Sequence, residues 1–169
     1  MTFLELCKQR FAVRKYEDKP VEQEDLDYIF EAMRMAPSAV NRQPWKFLIV
    51  KSEDAKDKLR ECYDRPWFKT APIYIICLKD VNENWIRPAD GKAHGDIDLG
   101  IVTEHLCLAA AERGLGTCWV CNYDTEKINR YFGSEQWEAV AIVPLGYIAD
   151  DCPQNPKKRK ALEEIVETI

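Results

Sequence analysis

Long apolar runs are missing from this 169-residue chain. A bilayer-spanning helix needs about 20 predominantly apolar residues. No unbroken apolar stretch outside the Pro- and Gly-containing C-terminal region is longer than Ile73–Leu78, so no membrane span is expected. The first residues, Met1-Thr2-Phe3-Leu4-Glu5-Leu6-Cys7-Lys8, hold no apolar core of leader length, and secretion is not expected either. Histidine is scarce: only His94 and His105 occur, and no second Cys or His pair stands at zinc-like spacing from Cys118-Trp119-Val120-Cys121. No metal is therefore expected. Phosphate-binding glycine loops are absent, both G-x-G-x-x-G after a strand and G-x-x-x-x-G-K-S/T. Gly114-x-Gly116 leaves a helix and enters a strand, the wrong order for a dinucleotide loop. No serine occupies a nucleophile elbow, so hydrolase and Rossmann readings both lose ground. An excess of positive charge is missing as well: the formal net charge is −5. Binding to duplex nucleic acid relies on a broad basic face, and nucleic acid is not the expected partner. Seven cysteines form no even disulfide framework; they read as reduced thiols and point to the cytoplasm.

What is present is a core. With 46% apolar residues, five Trp, seven Tyr and six Phe, the chain suits one folded domain over residues 1–169. Thr2 and Glu5 form a possible capping box for a short N-terminal helix, and Arg10–Tyr16 reads as extended. Glu24–Ala36 has helical spacing and ends at Pro37; Phe47–Val50 is a buried strand, followed by a helix with Ser52 as its cap. Ile73–Leu78 is a second buried strand, and the polar segment through Asn82, Asn84, Pro88, Asp90 and Gly91 is a covering loop. Asp96–Arg113 is apolar on more than one face, which predicts a central buried helix. Strands over Thr117–Val120 and Ala139–Val143 follow, separated by a short helix capped at Asp124 or Thr125 and ended by Gly133. A terminal helix is expected over Ala161–Val166. Helices and strands mix without regular βαβ alternation, so the expected fold is an α+β sandwich around one mixed sheet.

Three local patterns carry chemical meaning. Cys118-Trp119-Val120-Cys121 has thioredoxin-like spacing, but Trp119 and Val120 continue a strand, which points the two thiols to opposite faces; core packing is the favoured reading. Lys8, Arg10, Arg14 and Lys15 fall within Leu6–Tyr16, and Lys157, Lys158, Arg159 and Lys160 within Cys152–Leu162. Neither window holds an acid. Chain ends commonly lie close together, so two basic islands in an acidic chain are suited to converge on one phosphate group. Between Ala36 and Phe47, a loop framed by Pro37 and Pro44 carries Ser38, Asn41 and Gln43, donors and acceptors suited to an imide or pyrimidine edge.

These residues resemble a known family. Arg10-Phe11-Ala12-Val13-Arg14-Lys15-Tyr16 with Lys19-Pro20-Val21, Ala36-Pro37-Ser38 with Asn41-Arg42-Gln43-Pro44-Trp45, Gly114-Leu115-Gly116-Thr117-Cys118-Trp119, Pro144-Leu145-Gly146-Tyr147 and Pro156-Lys157-Lys158-Arg159-Lys160 look like the short form of the FMN-dependent nitroreductase family. The resemblance implies an α+β sandwich with a central mixed or antiparallel sheet flanked by helices. It also implies an intertwined homodimer with FMN at the subunit interface. Arg10, Arg14, Lys157 and Arg159 would hold the FMN phosphate, with Phe11 and Ala12 touching it through backbone. Pro37, Ser38, Ala39, Asn41 and Gln43 would reach the ring and ribityl chain from the partner subunit, and Trp119, Val120, Cys121 and Asn122 would line the other side. A backbone N–H near Cys121 or Asn122 would approach flavin N5. Ala12 stands where the family often has Ser, and Asn122 where Gly or Ala is usual. The implied activity is ping-pong: NADH or NADPH gives a hydride to flavin N5, and a small electrophilic acceptor such as a nitroaromatic, quinone or enone then receives it. No protein side chain is required as acid or base. Two other readings are a flavin-binding sensor or carrier without turnover, motivated by Asn122, and a thiol-disulfide enzyme using Cys118 and Cys121.

Overall fold

The computed structural model describes residues 1–169. Its centre is a four-stranded sheet. β1 (Trp45–Val50), β2 (Ile73–Asp80), β3 (Leu115–Thr117) and β4 (Trp137–Tyr147) stand in the order β1-β2-β4-β3, and every neighbouring pair is antiparallel. Parallel pairing is confined to one isolated bridge, Ala12 with Thr117, so the sheet is antiparallel where the residue pattern alone suggested a mixed one. Strand β2 shows why it lies in the middle. Its alternate side chains Ile73, Ile75 and Cys77 enter one core and Tyr74, Ile76 and Leu78 the other, so both faces are buried.

Helices cover both faces. α2 (Gln23–Arg34) and α4 (Gly95–Glu112) pack on the first face through Leu26, Ile29, Met33, Leu99, Val102 and Leu106. α3 (Glu53–Cys62) and α5 (Thr125–Phe132) pack on the second through Leu59 and Ile128, joined there by Phe68, Val13 and Tyr16. α1 (Phe3–Gln9) carries the expected capping box between Thr2 and Glu5, and the Asp124 side chain caps α5. Ser52 occupies the cap position of α3 but makes no side-chain cap bond. The central helix is buried around most of its girth, as its composition predicts. No helix is long and apolar enough to cross a membrane.

Two expected elements differ. The strand expected over Thr117–Val120 ends at Thr117, and Val120 rejoins Ile142 in an isolated bridge with both N–H···O bonds at 2.9 Å. The pairing register is the same on both sides of the break, and Pro144 falls opposite Cys118. Proline has no N–H to donate, so the ladder lapses there. The terminal helix expected over Ala161–Val166 is only a single 3₁₀ turn, Leu162–Glu164. Residues 153–169 are exposed throughout, and a helix this short does not persist without a surface to pack on.

Candidate functional site

The two basic windows meet. After α1, the chain runs along the β3 edge: Val13 N–H donates to Thr117 O at 2.9 Å, and Glu17 N–H to Tyr147 O at 3.0 Å. Val13 and Tyr16 are the buried anchors of this segment, and the Tyr16 hydroxyl donates to Val13 O at 3.0 Å. Burial raises the Tyr16 phenol well above its ordinary range, so it remains a neutral donor. With Val13 and Tyr16 turned into the core, Arg14 between them is exposed. From the other end, the tail leaves β4 and crosses back over α1. There the Lys157 ammonium donates to the backbone oxygens of Lys8 and Arg10, at the negative end of the helix. Lys15 pairs with Asp151 beside this crossing.

The crossing encloses a cleft of about 380 Å³ lined by Arg10, Phe11, Ala12, Arg14, Pro153, Asn155, Lys157 and Arg159. A neighbouring cavity of about 540 Å³ shares Arg10, Phe11, Asn155 and Lys157 with it. Arg10 meets one carboxylate, Glu104, at 3.7 Å; Arg14, Lys157 and Arg159 are in no ion pair. Arg14 instead lies over the Trp67 ring, 5.8 Å from its centroid. Loss of some hydrating water, together with Arg10 and Arg159 nearby, lowers the Lys157 ammonium below the ordinary lysine range. A cluster of cations that press on one another with a single carboxylate to balance them is suited to an anion.

The amide loop lines neither cleft. It leaves α2 at Met35 and makes a 3₁₀ turn over Ala39–Asn41. Val40, Asn41 and Gln43 all take positive φ, at 45°, 57° and 51°. For a β-branched residue such as Val40 this conformation is a marked outlier, held by its surroundings. Ser38 Oγ accepts the Gln43 N–H at 2.8 Å, and the Gln43 side-chain amide donates to Asn41 Oδ1 at 3.2 Å. The loop presents these groups outward. Its left-handed backbone has only a weak sequence signal: Asn41 is of a type that tolerates positive φ, but no glycine marks the turn.

Residues 118–121 alternate as expected. Cys118 and Val120 are buried while Trp119 and Cys121 are exposed, so the two thiols face opposite ways. Burial raises the Cys118 thiol above its usual range, opposed by the nearby Arg14. A disfavoured thiolate on a residue turned away from its neighbour is unsuited to disulfide exchange. Asn122 is exposed next to Cys121. Sequence reasoning missed Trp67, which sits against Arg14, and Asp98, whose carboxylate reaches the loop.

The fold and the socket define an α+β chain whose two ends cross to make a small cationic cradle beside the sheet edge. Comparison with known proteins gives this class its family. The chain belongs to the nitroreductase family, whose model matches residues 7–63 and 60–147. A Clostridium difficile 630 crystal structure described as a nitroreductase family protein is 35% identical with a TM-score of 0.91, over 99% of this chain and 98% of that one. A Methanothermobacter thermautotrophicus protein, provisionally named NADH dehydrogenase/NAD(P)H nitroreductase, is 32% identical over 89% of this chain and 80% of its own length. The iodotyrosine deiodinase of Thermotoga neapolitana is 26% identical over 90% of this chain and 92% of its own length.

Proposed function

We propose that this chain is an FMN-dependent NAD(P)H oxidoreductase that works as a homodimer. The observation that carries the proposal is the convergence of Arg10, Arg14, Lys157 and Arg159 on one small cleft with a single nearby carboxylate. Such a socket fits one terminal phosphate and is too small for a polyanion track. The names of the Methanothermobacter relative and of an FMN reductase [NAD(P)H] from Bacillus subtilis, 32% identical over 63% of this chain, support the same reading. When bound, the flavin supplies hydride transfer from NADH or NADPH to a small electrophilic acceptor.

The chain's own residues bind and orient. Arg10, Arg14, Lys157 and Arg159 would grip the phosphate, with Phe11 and Ala12 contributing backbone; alanine at position 12 offers no hydroxyl. Pro37, Ser38, Ala39, Asn41 and Gln43 of one subunit would face the ring and ribityl chain held by the other. Trp119, Val120, Cys121 and Asn122 would line the opposite side. The apolar surface supports a dimer: Phe3 and Leu4 on α1 and Ile165 and Val166 on the tail are all more than half exposed. An open apolar groove of about 370 Å³ runs between α1, α2 and α4. Surfaces of this kind mark association. Sedimentation should show a dimer, and monomer with FMN bound would contradict the shared site.

The primary test is spectroscopic and kinetic. Purified protein is expected to be yellow or to take up added FMN, and to consume NADH or NADPH with quinone, nitroaromatic or iodotyrosine acceptors. Colourless protein that takes up no FMN and consumes neither nicotinamide would reject the proposal. Cys118→Ala is expected to keep NAD(P)H oxidation within about twofold, since cavity formation at a small buried thiol affects stability before chemistry; loss of activity would revive the thiol mechanism.

Alkaline pH gives a separate handle. Because the Lys157 proton is lost at lower pH than that of a free lysine, the socket gives up a positive charge as pH climbs through that lowered range. The preference for FMN over riboflavin should therefore be full at neutral pH and begin to fall as pH climbs through the lowered range of the free protein, the fall extending to higher pH because bound phosphate favours the charged lysine. Calorimetric titration with the two flavins measures it. A constant preference up to the ordinary lysine range would remove Lys157 from the phosphate grip.

A further inference from the structure

Asp98 is a buried carboxylate with no part in the residues assigned so far. It lies in the first turn of α4, 2% exposed. Its Oδ1 accepts the Ala39 backbone N–H at 2.8 Å, across 59 positions of sequence, and its Oδ2 is buried without a partner. Burying a carboxylate for one hydrogen bond is a costly choice for stability alone. The bond is placed where the loop is under most strain. Ala39 opens the turn whose next residues, Val40 and Asn41, and then Gln43, take left-handed backbone, a conformation that L residues hold only where their surroundings impose it.

The other bonds of the turn do not fix it to the core. Ser38 Oγ to Gln43, Ser38 O to Asn41 and Ala39 O to Arg42 all lie within the loop and move with it. Pro44 O accepts from Asp80 N–H at the loop's exit, and Arg42 reaches Glu83 O from an exposed position. Between Ser38 and Asn41, Asp98 is the single tie to a rigid element. That element also stands behind Trp119: a Cβ added at Gly100 of α4 would lie 4.0 Å from the indole.

We propose that Asp98 is a positioning residue that clamps the strained turn over residues 39–43 to α4 and thereby sets where the Asn41 and Gln43 amides stand against the flavin ring. The effect on the ring rests on the assignment of this loop under Proposed function; the clamp itself does not. Three variants separate the cases. Asp98→Ala removes the acceptor, and Asp98→Asn keeps an oxygen for the Ala39 N–H. Ala39→Pro removes the donor from the loop side, its ring displacing the Asp98 oxygen that now lies 2.8 Å from the Ala39 nitrogen. Ser38 is already extended, at φ −140° and ψ 164°, as a residue before proline must be, and proline is tolerated at the first position of a helical turn.

Two measurements read the proposal. The first is trypsin cleavage after Arg42 in flavin-free protein, located by mass spectrometry. The second is the rate of flavin reduction by NADH or NADPH, with the flavin midpoint potential, at saturating FMN. Asp98→Ala and Ala39→Pro should each speed cleavage after Arg42 by about fivefold or more. The double variant should be no worse than either alone, because both remove one shared bond. Flavin reduction should slow by about tenfold with the potential shifted, and Asp98→Asn should restore both readouts. Cleavage at the wild-type rate in Ala39→Pro overturns the clamp even if Asp98→Ala fails to fold. Faster cleavage with unchanged reduction rate and potential overturns the role toward the ring, as does Asp98→Asn behaving like Asp98→Ala. If wild-type protein takes up no FMN, the flavin assignment and the role toward the ring fall together, and the cleavage assay still decides the clamp.

Discussion

Arg14→Ala is expected to strip the protein of retained flavin while leaving its fold intact. Arg14 projects from a segment anchored by Val13 and Tyr16, both buried, so removing the exposed side chain between them leaves the anchors in place. The guanidinium has no carboxylate partner to leave stranded; its contacts are the Trp67 ring and the buried Cys118. Each charge-assisted hydrogen bond to phosphate contributes about 1.5–3 kcal/mol, and a guanidinium offers two in parallel. FMN affinity should fall at least tenfold, and by several hundredfold if both bonds form. Riboflavin, which lacks the phosphate, should bind the variant and the wild type alike. Equilibrium dialysis with both flavins, beside a thermal melt of the flavin-free protein, is sufficient. FMN retention at the wild-type level would remove Arg14 from the site. An equal loss of riboflavin affinity would mean that the substitution had disturbed the ring region instead.

How far the residues announce this architecture depends on the range of the interaction involved. The apolar run Ile73–Leu78 announces a strand buried on both faces, and the girth of apolar residues in Asp96–Arg113 announces a central helix; both signals are local in sequence. The convergence of the two basic windows follows from charge pattern and the usual closeness of chain ends, and the cleft between Arg14 and Arg159 has that origin. The lapse of β3 after Thr117 was hidden, because its cause is Pro144 on the facing strand, a register fact that exists only once the pairing is known. The terminal helix that the apolar residues suggest shrinks to one 3₁₀ turn, since Leu162, Ile165 and Val166 have no surface of their own chain to cover. The left-handed turn through Val40 and its tie to Asp98 were invisible for the same reason. A β-branched residue is a poor candidate for positive φ, and the partner that holds it there lies 59 positions away.

Gly116→Ala should be a damaging single-methyl change at the edge of the sheet, and it should act on the site through the fold. A Cβ at position 116 would stand 2.6–2.8 Å from Cγ2, Cβ and Cγ1 of Val13. Rotating the valine moves its two methyls but not its Cβ, so relief requires the backbone of Ala12–Arg14 to withdraw from β3. That withdrawal stretches the Val13 N–H bond to Thr117 O, now 2.9 Å, and unseats a residue that is 1% exposed. Overpacking of this kind costs about 1–3 kcal/mol, and the rigid neighbour places this case at the upper end. For a chain of this size the thermal midpoint should drop by about 6–12 °C. Arg10 and Arg14 ride on the displaced segment, so the preference for FMN over riboflavin should fall in parallel with the midpoint. The matching change at Gly100 supplies the control. A Cβ there meets only the Trp119 ring at 4.0 Å, an ordinary contact, inside a helix where alanine outranks glycine by about 1 kcal/mol. Gly100→Ala should therefore leave stability equal or higher. If both substitutions shift the midpoint alike, close approach of Val13 is not what holds Arg10 and Arg14 in register with the tail.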